Sequence, residues 1–107
     1  MGVHHVSDKE DFEGQLAEAG SKLVVVDFFA TWCDPCKMIS PVLDKLSEEL
    51  VADVMFLKVD VDENEDIATR HEVTVKPTFL LFRRGQKVDQ CSGANESKLR
   101  ELITKYK

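Results

Sequence analysis

The sequence predicts an α/β fold in which a central mixed sheet is flanked by helices on both faces. Two short β-branched apolar runs, at 23–29 and 54–59, have the length and composition of buried strands. Segments of helical period lie before, between and after them, and alternating strands and helices imply parallel pairs joined by right-handed crossovers. Near the C-terminal end the alternation breaks: two strand-like runs are separated by a tight-turn signal, so that pair is antiparallel.

In chain order, residues 3–6 read as a short strand. Ser7 and Glu10 have capping-box spacing, and Phe12, Leu16 and Ala19 follow at helical intervals until Gly20 stops the run. Leu23 to Phe29 is the first buried strand. In the long helix that follows, Ile39, Val42, Leu43, Leu46 and Leu50 share one face, with Pro41 inside removing a backbone donor and predicting a kink. Val54 to Val59 is the second buried strand, and Asp66 to Glu72 a short helix with Ile67 and His71 four residues apart. Thr78 to Phe82 and Lys87 to Cys91 flank Arg83-Arg84-Gly85-Gln86, a hairpin turn. A last helix starts near Asn95 and carries Leu99, Leu102, Ile103 and Tyr106. The 107 residues suit one domain spanning 1–107, with no repeat, linker or low-complexity tract.

Composition narrows the function. The chain is 43% apolar and 32% charged with a net charge of −6, so it is expected to build a core, and its charge disfavours a nucleic-acid partner. Asp60, Asp62, Glu63, Glu65 and Asp66 form an acidic run that reads as a solvated loop and first helical turn. No apolar run approaches the roughly 18 residues needed to span a bilayer, and no membrane partner is expected. Met1 to Ser7 misses a myristoylation signal because Val6 stands where Ser or Thr is required. Asn95-Glu96-Ser97 has the form of a glycosylation sequon but reads as a helix cap. Three cysteines are too few for a disulfide-stapled secreted scaffold, which points to a reducing, cytoplasmic compartment.

Two of those cysteines, Cys33 and Cys36, come directly after a strand and open a helix. Residues i and i+3 at a helix start share a face, so their sulfurs can come within bonding distance. Cys33 would sit against unpaired backbone N–H groups and the positive end of the helix dipole, which favours thiolate over thiol. Thiolate is the attacking species in disulfide exchange, so Cys33 is the expected nucleophile, and Cys36, one turn in and more shielded, the resolving thiol. Pro35 suits the first helical turn and preorganises the pair. The rival reading of a CxxC, half a zinc site, lacks a second ligand pair: Cys91 and His71 fit no ligand spacing, and no metal or bound cofactor is expected. Asp27 interrupts an apolar strand, where ionisation is costly, so its pKa is expected to rise; Lys58, midway in the other strand, is the neighbour that could pair with it. Cys91 reads as a small apolar core residue, with a dimer-forming thiol as the alternative. The chain is otherwise expected to be a monomer.

The segments Val26 to Cys33, Pro35 to Pro41, Lys58 to Asp62, Pro77-Thr78-Phe79 and Ser92 to Asn95 resemble the thioredoxin family, most closely its animal cytosolic members. The similarity spans essentially the whole chain. It implies the thioredoxin fold and general protein disulfide reduction through a Cys33–Cys36 redox disulfide. Disulfide-containing client proteins and an NADPH-dependent thioredoxin reductase are the implied partners. It further implies that Asp27 is the buried carboxylate assisting proton transfer at the resolving cysteine. Pro77 resembles the family's cis-proline, and Trp32, Pro35, Pro77, Gly93 and Ala94 its flat client-docking surface. The competing reading is a thioredoxin-fold module that clamps an extended peptide or partner protein, in which the resolving thiol would have no use.

Two residues depart from the family pattern. Asp34 replaces the usual Gly between the cysteines; a carboxylate about 7 Å from a thiolate costs about 2 kcal/mol at an effective dielectric of 20 and about 0.6 in bulk water, so it is expected to disfavour the Cys33 thiolate. Lys76 precedes Pro77 where the family usually has an apolar residue; two readings stand, an ammonium that offsets Asp34, for instance through a direct pairing, and solvent-exposed variation of small effect at both positions.

Overall fold

Strand β2 (Leu23–Phe29) runs through the centre of the molecule, and its first six residues, Asp27 included, are buried. A strand covered on both faces needs a continuous apolar run rather than alternation, and Leu-Val-Val-Val supplies it. The computed structural model describes residues 2–107. Around β2 it sets β1 (His4–His5), β3 (Val54–Asp60), β4 (Thr78–Arg83) and β5 (Gln86–Ser92) in the order β1-β3-β2-β4-β5. β3 is parallel to both β1 and β2, whereas β4 is antiparallel to β2 and to β5. This is the mixed sheet that the element order predicts, and β1 keeps only the middle two residues of the expected 3–6.

The helices are α1 (Lys9–Glu18), α2 (Asp34–Glu49), α3 (Glu65–Arg70) and α4 (Glu96–Tyr106). Side chains alternate across a strand, and the two faces of β2 accordingly build two cores. Val24, Val26 and Phe28 pack with Phe12 of α1 and Ile67 and Ala68 of α3. Leu23 and Val25 pack with Ile39, Leu43 and Leu46 of α2 and with Leu99, Leu102 and Ile103 of α4. Pro41 sits inside α2 without ending it. None of the helices is long and apolar enough to cross a membrane.

Two local expectations shift, and a third holds. The cap of α1 is Asp8, not Ser7: its side chain accepts from Asp11 N at 2.8 Å, and the Asp11 carboxylate reaches back to Ser7 N, also 2.8 Å. The cap moves one residue on because an aspartate there offers an equally good acceptor, and the return bond is taken by Ser7 N rather than by the N–H of the cap residue. α3 ends at Arg70, so His71 is its C-cap and not an interior residue. The imidazole packs edge-on against Phe12 and Phe82 and lies near Phe28, and burial holds its pKa below the usual histidine value. Asn95 caps α4 by accepting from Lys98 N at 3.0 Å, as its position before the periodic stretch predicts.

Candidate active site

Chain direction places the dithiol. β2 ends at Phe29 and the segment 30–33 turns out of the sheet, with Cys33 N donating to Ala30 O at 3.2 Å. α2 begins at Asp34 with Pro35 in its first turn, where a fixed φ and a missing N–H do no harm. The N-cap position is normally filled by a side-chain oxygen. Here Cys33 occupies it, and its Sγ accepts from Cys36 N at 3.2 Å. Cys33 and Cys36 are joined as a disulfide with Cα atoms 5.3 Å apart, so this is the oxidised form of the pair. In the reduced form the same N–H and the positive helix end face a sulfur that can carry charge. The expected difference in shielding does not appear: Cys33 is 5% and Cys36 4% exposed. What distinguishes the two sulfurs is position, one at the cap and one a turn inside.

Asp27 is 1% exposed, and neither carboxylate oxygen finds a hydrogen-bond donor among the described residues. Burial without a partner favours the neutral acid, and its pKa is pushed up to about 7, with Lys58 pulling weakly the other way. Lys58 lies beside Asp27 in the β2–β3 register, yet the expected pairing is not made. Its Nζ donates to Ser40 Oγ at 3.3 Å and lies 4.6 Å from the centroid of the Phe29 ring. Lys58, Ser40, Phe29 and Cys36 line a single cleft of about 420 Å³. Asp27 is thus the strand neighbour of a lysine that lines the same cleft as the inner cysteine.

Trp32 is 64% exposed and is oriented by a hydrogen bond from its Nε1 to Asp62 Oδ2 at 2.8 Å. Lys76 Nζ stands 5.9 Å from the centroid of the same ring and donates to Thr74 O at 3.4 Å. The direct Lys76–Asp34 pairing is therefore not formed. Asp34 faces Lys37 at 3.9 Å instead, because the i,i+3 spacing on α2 brings those two together, and its side chain is 90% exposed. The Lys76–Pro77 bond is cis, and Pro77 O accepts from Gly93 N at 2.8 Å, which joins the segment before β4 to the one after β5. Pro35 and Ala94 are exposed and Gly93 half-buried, whereas Pro77 is buried and adds no exposed apolar area. Met38 and Val75, which the sequence reading left out of the docking surface, are exposed. Ser40 and Asp62 were also missed as site residues. Their links, to Lys58 and to Trp32, span 18 and 30 positions, and no local motif encodes them.

Cys91 is half-buried on β5 opposite Phe79, against the α2–α4 core, and burial pushes its thiol pKa up. That environment suits a small apolar residue.

The geometry has close counterparts. A sequence model described as Thioredoxin matches residues 3–105. Horse (Equus caballus) thioredoxin is 52% identical over 101 residues, 94% of this chain and 95% of that protein. Mouse (Mus musculus) thioredoxin is 52% identical over 104 residues, 97% and 98% of the two. Among solved structures, Fasciola hepatica thioredoxin superposes with a TM-score of 0.94 at 46% identity, covering 97% of this chain and 99% of that one. A poplar thioredoxin h gives 0.94 at 41% identity, covering 98% and 96%. With half its residues shared along nearly the full length of animal thioredoxins, on the same backbone, the chain belongs to the thioredoxin family and is a protein dithiol–disulfide oxidoreductase whose redox centre is the Cys33–Cys36 disulfide.

Proposed function

We propose that the chain acts as one domain, residues 1–107, reducing disulfides of client proteins in the cytoplasm and being recharged by an NADPH-dependent thioredoxin reductase. The observation that carries the assignment of roles is the cap: Cys33 Sγ accepts a helix N-terminal N–H while Cys36 lies one turn inside. In the reduced protein the Cys33 thiolate attacks one sulfur of a client disulfide. A Cys33–client bond forms, and the other client sulfur leaves as thiolate. Cys36 then gives its proton to the Asp27 carboxylate and attacks Cys33 Sγ, the second client sulfur leaves, and the Cys33–Cys36 disulfide remains. Two electrons pass to the client, and the reductase returns two.

Asp27 suits the proton step because a carboxyl group with a pKa of about 7 can accept a proton near neutral pH and release it again. Lys58 supplies a cation beside it without neutralising it through an ion pair. Trp32, Lys76, Gly93 and Ala94 contact the client segment, Pro35 and Pro77 fix the backbones on either side of the dithiol, and Asp34 tunes Cys33. The apolar exposure of Trp32, Met38 and Val75 supports a docking face of this kind. The test is NADPH-coupled insulin reduction with a thioredoxin reductase. Wild type turns over and Cys33→Ser does not; absence of turnover in wild type overturns the proposal.

A further inference from the structure

Lys58 has two directions open to it. Its strand neighbour is Asp27, and adjacent strands lie about 4.8 Å apart, so a side chain of lysine length can turn inward to the buried carboxylate. It turns outward instead, along the cleft that Cys36 also lines. Two groups hold it there, the Ser40 hydroxyl at 3.3 Å and the face of the Phe29 ring at 4.6 Å. Ser40 is four residues beyond Cys36, which places both on one face of α2. The helix that carries the inner sulfur therefore also carries the acceptor for the ammonium.

We infer that Ser40 is a positioning residue, whose hydroxyl holds the Lys58 ammonium at the mouth of the cleft and off the Asp27 carboxylate. A buried ion pair would stabilise the carboxylate and lower its proton affinity, making it a poorer acceptor for a thiol proton. A cation kept one step away tempers the effect of burial without cancelling it. The neighbours of Asp27 leave this role to Lys58. From β4 its register partner is Phe79, and α4 contributes apolar Leu99, Leu102 and Ile103. From α2 come Cys36 and, around the cleft, Lys37 and Asp44, with Lys37 drawn outward toward Asp34.

This deepens the proposed function and rests on Asp27 as the proton acceptor, but it is read independently of turnover. The measurement is the titration midpoint of the Asp27 carboxyl carbon by 13C NMR in the oxidised protein. Ser40→Ala places the best helix former in α2 and removes the outward acceptor. The midpoint is expected to fall by about one pH unit as the ammonium moves inward. In a Lys58→Met background the same serine change is expected to leave the midpoint where that background puts it. An unchanged or raised midpoint in Ser40→Ala overturns the inference, and so does an equal fall in the Lys58→Met background. The Asp27 reading fails by a different result: a pH profile of insulin reduction that Asp27→Asn leaves unaltered.

Discussion

Asp34 stands between the cysteines with its carboxylate almost wholly in solvent and a lysine 3.9 Å away. Water and the Lys37 ammonium both screen it, so the bulk-water end of the Coulomb range applies to its effect on Cys33. Asp34→Gly is therefore expected to raise the neutral-pH alkylation rate of reduced Cys33 by no more than about threefold. The gain should shrink as salt is added, since the Debye length falls to about 3 Å at 1 M. A tenfold gain, or a loss, would mean that the carboxylate reaches the sulfur by a less screened route. Residue types and chain spacing made Cys33, Cys36 and Asp27 visible, because a CxxC at a strand–helix junction and an acid in an apolar run are local anomalies. The partners of Lys58 and Trp32 were not visible, since only the folded chain brings Ser40 and Asp62 to them. The expected Asp34–Lys76 contact failed on the same ground: i,i+3 spacing on a helix gives Asp34 a nearer cation than any loop can offer.

Elements were easier to read than contacts. β2 and β3 are buried on both faces, so their apolar runs coincide with the strands to within a residue, while β1, with two exposed histidines, left little pattern to bound it. The β4–β5 hairpin shows how far local chemistry goes. Arg84 and Gly85 form a two-residue loop with φ of 54° and 77°, and positive φ at both loop positions belongs to the type I′ turn. Arginine is an uncommon choice there, and a non-glycine residue in the left-handed region costs about 1–2 kcal/mol, less for Asn. Arg84→Asn should stabilise the protein by about 1 kcal/mol, seen as a rise of several degrees in Tm. Gly85→Ala should cost about 1 kcal/mol, and for a conformational reason alone, because a Cβ at Gly85 meets no atom within 4 Å. Equal Tm values for Arg84→Asn and wild type would refute the turn assignment.

On the scale of the whole molecule, burying Asp27 at the sheet centre makes stability depend on pH. Its pKa of about 7 in the folded state lies above the roughly 3.9 of an unfolded chain. Between those values the folded state holds a proton that the unfolded state has released, so stability falls as pH rises through the window. The loss is absent below about pH 4 and complete above about pH 7. Over roughly three pH units at about 1.4 kcal/mol each, it amounts to as much as about 4 kcal/mol. Asp27→Asn keeps the shape and removes the charge. Its stability relative to wild type should therefore grow from pH 4 to pH 8, by a Tm difference on the order of 10 °C. His71, held below its usual pKa by burial, works in the other direction: its stabilisation is present above about pH 6.5 and is lost as pH falls. Both proteins share that histidine, so its effect cancels in the difference. Thermal melts of the oxidised forms at closely spaced pH values check this, and parallel curves for the two proteins would show that Asp27 is ionised at no cost. A rising difference would mean that the acid proposed to take up the proton in turnover is also the group that weakens the fold at neutral pH, a cost carried by the surrounding two-sided core.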